Sequence, residues 1–548
     1  MVTRKKPIDP AESPKLILEG RIVTMNAAFK VIPRGRVFAM DGDIVAVQEI
    51  GQPVPEGFAD VAITETGGTI YPGLIDLHNH LPYNVLPLWQ VPKKFSNRGQ
   101  WARHDEYREK VSAPMQTLAA TENLLAAICR YVECKALLGG TTTSQGITLA
   151  NESGIRRYFK GLVRNVEDTD DDTLPEVTTR VPDVASRDVE AFMKRLKREK
   201  TCYLLHLAEG VDAVARRAFE SLKISDDRWA ITTALCGIHA AALNRRDFDI
   251  LAANGGSMVW SPFSNLLLYG GTADVAAAKA AGVAIALGCD WGPSGSRSLL
   301  GELKVAHLWS ERNNIFTPRE LVAMVTREAA GLLEWSPVLG SIEADKRADL
   351  LAISGDTGDP YLQLINAKEN DVALVMISGV ARVGIPSLMR SLNLSGERID
   401  VGGAARTLFL AHPNADPLVE GLSLTDAAAA LKAALRTLPQ LARQADKPRP
   451  MSAIARMRDG GNRWRLQLDE IFDSGVDLRP NLRPNRGAPR AAASMRPAVD
   501  ANLKLADAVA PTEIDALTVV GDDEYIDALD QQLNLPTFIK SGLRERWS

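Results

Sequence analysis

Between Lys15 and Glu49 short apolar runs alternate with polar positions: Leu16-Ile17-Leu18, Arg21-Ile22-Val23 and Asp43-Ile44-Val45-Ala46-Val47. Runs of this kind between turn residues read as strands, and Asp41-Gly42 is a hairpin signal between two of them. A small antiparallel sheet is the expected product. From Gly68 the pattern changes to short apolar strands alternating with helical stretches, which predicts α/β units around a parallel sheet. Strands are expected at Thr69 to His80, Thr141 to Ile147, Lys160 to Val166, Thr201 to Leu207, Trp229 to Ile238, Ser257 to Ser261 and Val283 to Leu287. The fourth strand is the weak point: within the acidic, Thr-rich run Asp168 to Pro182, only Glu176 to Val181 could serve. Helical periodicity lies between them, as in Thr117 to Leu138 (stopped by Gly139-Gly140), Val184 to Lys200 and Asp274 to Ala281 (closed by Gly282). Eight such units over roughly 250 residues match a (β/α)8 TIM barrel in size.

After the helical run Glu320 to Leu333 the β pattern returns at Ala348 to Ile353 and Asp371 to Ile377, the latter followed by the turn Ser378-Gly379. Residues 15–66 and 338–385 are therefore expected to build one small flanking β-sandwich, with the barrel, 67–337, inserted between them. Residues 386–548 form a C-terminal extension of mixed helical character. It contains an Ala-rich helical run, Thr425 to Ala442, and a Pro/Arg/Asn-rich stretch, Leu478 to Pro497, whose arginines read as a solvated wrapping segment. The extension covers the barrel or mediates self-association, and a homo-oligomer is expected. Residues 1–14 read as a loose polar arm.

Composition adds exclusions. A hydrophobic content of 45%, a charged content of 24% and a net charge of −4 are those of an ordinary globular chain, with no nucleic acid or anionic membrane as partner. No segment approaches the apolar run of a membrane span, and the basic N-terminus lacks the apolar stretch of a secretory signal. The cysteines (Cys129, Cys134, Cys202, Cys236, Cys289) have no CxxC spacing and are odd in number, so buried reduced thiols and a cytoplasmic location are expected.

The chemistry centres on His78 and His80, two of the seven histidines, at the end of the first predicted barrel strand. Strand side chains at i and i+2 share a face, so the pair can meet one cation. Catalytic groups of such a barrel sit where strands end at its C-terminal face, so later strands should close on further ligand-type residues. They do: His206-Leu-Ala-Glu209 follows strand five, His239 strand six and Cys289-Asp290 strand eight. A lone histidine at a strand end is more often structural, and Asp290 before Trp-Gly-Pro-Ser-Gly could open a turn. The coincidence at successive strand ends points instead to a metal site. His78, His80, His206 and Asp290 suit one divalent ion, Zn²⁺ or Fe²⁺, with a position open to water. Such an ion makes hydroxide available at neutral pH. Glu209 would then transfer protons to the substrate's nitrogen, His239 would polarise the atom under attack, and Asp290 would also take the water's proton.

The runs Ile70-Tyr-Pro-Gly-Leu-Ile-Asp-Leu-His-Asn-His80, His206-Leu-Ala-Glu209, Ser261-Pro-Phe-Ser-Asn265, Leu287-Gly-Cys-Asp290 and Gly340 to Leu350 resemble, in order, those of the amidohydrolase superfamily. The branch they look most like is that of cytosine and guanine deaminases and triazine hydrolases, over residues 15 to 385. The resemblance implies a metal-dependent barrel with a small β-sandwich. It also implies one metal on His78, His80, His206 and Asp290, and catalytic roles for Glu209 and His239. Binuclear branches use a modified lysine at strand four, for which Lys160 is a poor candidate. Nothing beyond about residue 390 matches.

The loop after His80 carries Tyr83, Asn84, Trp89, Trp101, His104 and Tyr107, and loops at this face shape the pocket. Tyr83, Trp89 and Trp101, with Asn265 and Trp291, are the candidate contacts for a flat heterocycle. The expected function is metal-dependent hydrolysis of a non-peptide carbon–nitrogen bond in a small molecule, foremost as a deaminase of a heterocyclic or amidine-like substrate. An amide, urea or carbamate hydrolase, or a hydrolytic dehalogenase, is the alternative on the same site. A non-catalytic scaffold is the remote one.

Overall fold

A computed structural model describes residues 15–151, 155–169, 171–447, 464–469 and 504–548. The expected N-terminal arm and the Arg-rich stretch Leu478 to Pro497 lie outside these residues.

The flanking region is one mixed nine-stranded sheet. Its spatial order is Glu397–Val401, Ala404–Leu408, Val380–Gly384, Val372–Ile377, Leu350–Ser354, Ile63–Pro72, Leu16–Val23, Val31–Met40 and Asp43–Glu49. Both segments expected from sequence meet in it, and two strands beyond residue 385 extend it. The Asp41-Gly42 turn takes left-handed backbone at both residues (φ 52° and 84°), as a two-residue hairpin of matching twist requires. Ile22, Ile70, Leu350, Met376 and Met389 pack in an apolar cluster of their own on this sheet.

The run expected as one strand from Thr69 to His80 divides at Gly73. Ile63–Pro72 stays in the large sheet, and Leu74–Asp76 (β1) starts a second set of strands. A Cβ at Gly73 would fall 2.3 Å from Oγ1 of Thr142, so the change of sheet is possible only without a side chain. The other parallel strands are β2 (Thr141–Ser144), β3 (Arg164–Asn165), β4 (Thr178–Arg180), β5 (Tyr203–Leu207), β6 (Leu235–His239), β7 (Ser257–Trp260) and β8 (Ile285–Leu287). They form a sheet β1-β2-β3 and a sheet β4-β5-β6-β7-β8. Val177 N–H donates to Val166 C=O at 2.9 Å between β3 and β4. Asp290 N–H donates to His78 C=O at 2.8 Å, and His80 N–H to Asp290 C=O at 2.7 Å, between the ends of β1 and β8. The fold is thus an α/β metal-dependent fold related to TIM barrels, with a flanking sheet. His206, Ile238, Val259 and Ala286 lie in register on β5 to β8, and Leu204, two residues before His206 on the same face, packs in one cluster with Ile238, Val259 and Ala286.

Strand four is short because its neighbourhood has another task. Asp171, within the acidic run that starts at Asp168, is buried and pairs with Nη2 of Arg347 at 2.8 Å, tying this loop to the large sheet. The helix expected over 117–138 is broken at Asn123 (φ 72°) into Ala113–Ala120 and Leu124–Leu138. The extension folds back over helices that accompany these parallel strands. Leu424–Arg436 packs on Leu124–Leu138, and Thr537–Trp547 packs on Leu299–Asn313. Trp464–Leu466 joins a three-stranded sheet with Thr148–Asn151 and Arg156–Tyr158. All five cysteines are buried and unpaired, and no helix among the described residues is long and apolar enough to cross a membrane.

Candidate active site

Three imidazoles converge where β1 and β5 end. Nε2 of His206 lies 3.2 Å from Nε2 of His78 and 3.3 Å from Nε2 of His80. Oδ1 of Asp290 is 3.5 Å and 3.7 Å from the same two nitrogens of His78 and His80. The outer nitrogens are already engaged. Nδ1 of His80 faces Oδ2 of Asp469 at 3.0 Å, Nδ1 of His206 faces the Arg180 carbonyl at 3.3 Å, and Nδ1 of His78 lies 2.9 Å from the Ser261 hydroxyl. A carboxylate and a carbonyl only accept, so His80 and His206 donate from Nδ1 and turn Nε2 lone pairs toward each other. Such pairs repel unless a cation lies between them. Ligands about 2.05 Å from a tetrahedral Zn²⁺ are separated by about 3.3 Å, the spacing found here. The donor set therefore fits one divalent metal.

His239 differs. In register it pairs with Leu207, which packs in the outer core, but its backbone turns left-handed (φ 69°) and its ring lies 4.7 Å from that of His78. Trp260 Nε1–H donates to the Thr272 hydroxyl at 2.7 Å, which donates to Oδ1 of Asn265 at 3.3 Å. The Asn265 amide then has its NH₂ toward Nδ1 of His239, at 3.0 Å. Accepting at Nδ1, a neutral His239 holds its proton on Nε2 and offers a donor to the pocket rather than a lone pair. Ala208, Ala240 and Asp290 also have positive φ (50°, 49° and 68°), so backbone strain is concentrated at these strand ends.

Glu209 completes the group. Its Oε2 is 3.7 Å from Nε2 of His239 and 3.6 Å from Nη1 of Arg98, and its Oε1 accepts from the Tyr269 hydroxyl at 2.8 Å. Tyr269 in turn accepts from Nε1 of Trp101 at 2.7 Å. Burial first, and the Glu209 charge second, push the Tyr269 hydroxyl far above its ordinary range, so it stays a donor. Burial and neighbouring imidazoles hold His78 and His206 well below the usual histidine pKa, in the neutral, ligating form. At His80 burial acts the same way, but the carboxylates of Asp469 and Asp290 outweigh it and raise the pKa. Burial raises that of Asp290.

His80, His206, Glu209, His239 and Asp290 line a small cavity together with Arg98, Trp101, Tyr107, Trp291 and Asp469. About 20 Å³ of it is open to the centre of a water molecule, room for one or two waters. Among the described residues, no lysine lines it. Of the expected substrate contacts, Trp101 and Trp291 line it. Tyr83 does not: it packs behind Trp291, with ring centroids 4.9 Å apart. Trp89 packs on Phe95 and Tyr107 in the apolar filling of the loop. Asn265 is fully buried behind His239. Arg98, Tyr269 and Asp469 went unnoticed in the sequence. Tyr269 had a signal, four residues after Asn265 on one helix face, whereas Asp469 follows His80 by 389 residues and had none.

Residues 189–382 match the family model described as the amidohydrolase family. The chain is 27% identical over 378 residues to a 5-methylthioadenosine/S-adenosylhomocysteine deaminase of Halalkalibacterium halodurans, covering 61% of this chain and 83% of that protein. It is 25% identical over 376 residues to a 5′-deoxyadenosine deaminase of Methanosarcina mazei, covering 63% and 85%. In structure it is similar to a triazine hydrolase variant, with a TM-score of 0.53 and 17% identity over 69% of this chain and 98% of that one.

Proposed function

Because the chain belongs to the amidohydrolase superfamily and is a metal-dependent hydrolase of carbon–nitrogen bonds, we propose that it is a deaminase of an aminated heterocycle. The relatives named as deaminases of adenine nucleosides support a purine-like ring bearing an exocyclic amine. The observation that carries the reading is the pairing of Glu209 with His239 above the three converging imidazoles. An acid/base residue of this kind is needed when a ring nitrogen must be protonated and an amine must leave. A simple ester makes no such demand.

His78, His80, His206 and Asp290 would hold the ion, zinc by fit of the donor set. Bound there, it would supply the Lewis acidity that makes hydroxide available near neutral pH. Asp290, with Oδ2 held by the Ser264 hydroxyl at 2.6 Å, would take one proton of the attacking water and pass it to the exocyclic amine, which leaves as ammonia when its carbon–nitrogen bond breaks. Glu209 would take the water's other proton and deliver it to the ring nitrogen beside the attacked carbon, and Tyr269 and Arg98 fix its carboxylate for that transfer. His239 would donate from Nε2 to the developing oxygen centre. Trp101 and Trp291 would flank the ring, and they or the segment carrying Asp469 must shift to admit one, since the cavity holds little more than water. The accompanying fold reading is a closed (β/α)8 barrel over 67–337, supported by the bonds joining β3 to β4 and β8 to β1. The domains that go with it are the flanking region of 15–66 and 338–385, whose sheet also takes in residues 67–72 and the strands Glu397–Val401 and Ala404–Leu408, and the extension of 386–548.

The test is ammonia release from a panel of aminopurines, aminopyrimidines and their nucleosides by zinc-loaded protein, before and after chelation. Turnover of at least one member, lost on chelation and restored by Zn²⁺, is expected. A panel inert for ammonia, with amine or halide released from substituted triazines, would overturn the deaminase reading in favour of the alternative hydrolase.

A further inference from the structure

Each of the three histidines of the proposed metal site is steadied at its outer nitrogen by a different part of the chain. For His78 it is Ser261 after β7, and for His206 the Arg180 carbonyl of β4, both within the barrel strands' own units. For His80 the partner is Asp469, from the C-terminal extension. Its carboxylate reaches the cavity because Trp464–Leu466 pairs in antiparallel register with Thr148–Asn151, Leu466 opposite Leu149. The Arg157 guanidinium stacks 4.5 Å over the Trp464 ring, and Gln467 N–H donates to the Thr148 carbonyl at 2.9 Å. Two residues after Gln467 the chain delivers Asp469, two-thirds buried, against His80.

We propose that Asp469 is a positioning residue, supplied by the extension, that fixes the His80 imidazole in the tautomer and orientation needed to bind the metal. This rests on the reading of His80 as a ligand. The physical case is direct. A carboxylate at Nδ1 can only accept, so it puts the proton there and the lone pair on Nε2, beside the nitrogen of His206. The same bond makes the imidazole a stronger donor to a cation, and loss of such an outer partner weakens metal binding about 10–100-fold. The extension is on this view part of the active site and not a cover laid over it.

The experiment measures Zn²⁺ affinity by competition with a chromophoric chelator, for the full chain and for Asp469→Ala, Asp469→Asn, His80→Ala and the double variant Asp469→Ala/His80→Ala, with circular dichroism confirming the fold. Asp469→Ala should bind Zn²⁺ about 10–100-fold more weakly. Asp469→Asn, which can still accept from Nδ1, should lose less. In the His80→Ala background the Asp469→Ala change should cost nothing more. Wild-type protein that binds one equivalent of Zn²⁺ while Asp469→Ala matches it would overturn the role of Asp469. So would an equal loss with and without His80. Wild-type protein that binds no Zn²⁺ would overturn the metal-site reading, and this inference with it.

Discussion

Asn265 and Tyr269 lie one helical turn apart on Pro262–Tyr269, and each holds a different side chain of the pocket: Asn265 meets Nδ1 of His239 at 3.0 Å, and Tyr269 donates to Oε1 of Glu209 at 2.8 Å. One face of one short helix therefore sets both proposed proton-handling groups. The polarity of the Asn265 contact decides which nitrogen of His239 keeps the proton. Replacing the amide by a carboxylate reverses it: Asn265→Asp would accept from Nδ1–H and leave Nε2 without its hydrogen. A wrong tautomer at a catalytic histidine costs up to about 10⁴ in kcat in a serine protease. Asn265→Asp is expected to lower kcat by about 10²–10⁴ with zinc content unchanged, checked by steady-state kinetics beside metal analysis. Wild-type turnover in a folded variant would show that the tautomer is immaterial.

Glu209 offers a cleaner separation of chemistry from metal binding. It is not among the atoms that converge on the metal position, yet it adjoins His239 and Arg98. Glu209→Gln keeps the shape and the hydrogen bond from Tyr269 but cannot exchange protons. A loss of about 10²–10⁴ in kcat is expected, with one equivalent of Zn²⁺ retained and little change in KM. Tyr269→Phe, which frees Glu209 to turn, should show a smaller loss of about tenfold. The ordering of the two, read from the same kinetic series, is the check.

Much of the site could be read from the chain because its parts obey strand parity. His78 and His80 sit two apart, and His206 shares a face with Leu204 in a regular strand, so their convergence follows from local rules. His239 and Glu209 do not follow parity, and reach the pocket through left-handed backbone at His239 and Ala208, which no periodicity reveals. The aromatic residues after His80 show the opposite failure. Their place in the loop marked Tyr83, Trp89 and Trp101 as candidate substrate contacts, but a loop has its own core to fill, and Tyr83 and Trp89 pack within it. In the fold, the division at Gly73 was hidden because an apolar β run looks the same whichever sheet each half enters. Asp469 was invisible for the simplest reason, since nothing local links it to His80.

Lys304 supplies a test of burial by pH, remote from the metal ligands. Its ammonium is fully buried in the helix Leu299–Asn313, donates to the Leu300 carbonyl at 3.3 Å and to the Ala367 carbonyl, and lies 4.1 Å over the Trp547 ring. Burial is the main cause that brings its pKa from 10.5 down to about 7. Between those values the unfolded chain holds a proton that the native chain does not. Stability therefore rises with pH across this window, and below it the penalty for the buried charge is present in full. Lys304→Met should be more stable than wild type near pH 6 by roughly 2–4 kcal/mol, and the gap should close by up to about 1.4 kcal/mol per pH unit above pH 7. Urea unfolding of both proteins from pH 6 to 10 measures it. A gap that does not move with pH would mean the lysine is neutral or solvated throughout.

Asp515 is the point at which the extension is fastened to the catalytic region. Its carboxylate takes Nη2 and Nε of Arg297 at 2.5 and 3.0 Å and also pairs with Lys135, all three side chains being almost completely buried. Lys135 donates in addition to the Asn84 carbonyl at 2.9 Å, and the Asn84 side chain bonds Asn79 at 3.0 Å and the Gly292 amide at 2.6 Å. A line of contacts thus runs from the extension to the loops carrying His80 and Asp290. Removing one partner of a buried ion pair costs about 3–5 kcal/mol, because the remaining charges stay out of water without compensation. Asp515→Ala leaves two cations so placed, with Asp522 still 2.7 Å from Arg297 to offset part of the loss. The expected outcome is a lower melting temperature and at least tenfold faster proteolytic cleavage within residues 504–548, with kcat reduced through the displaced loops. Asp515→Asn, which keeps acceptors for both donors, should fall between wild type and the alanine variant. Limited proteolysis followed by mass spectrometry reads the order directly, and protection equal to wild type in Asp515→Ala would place the anchor of the extension elsewhere.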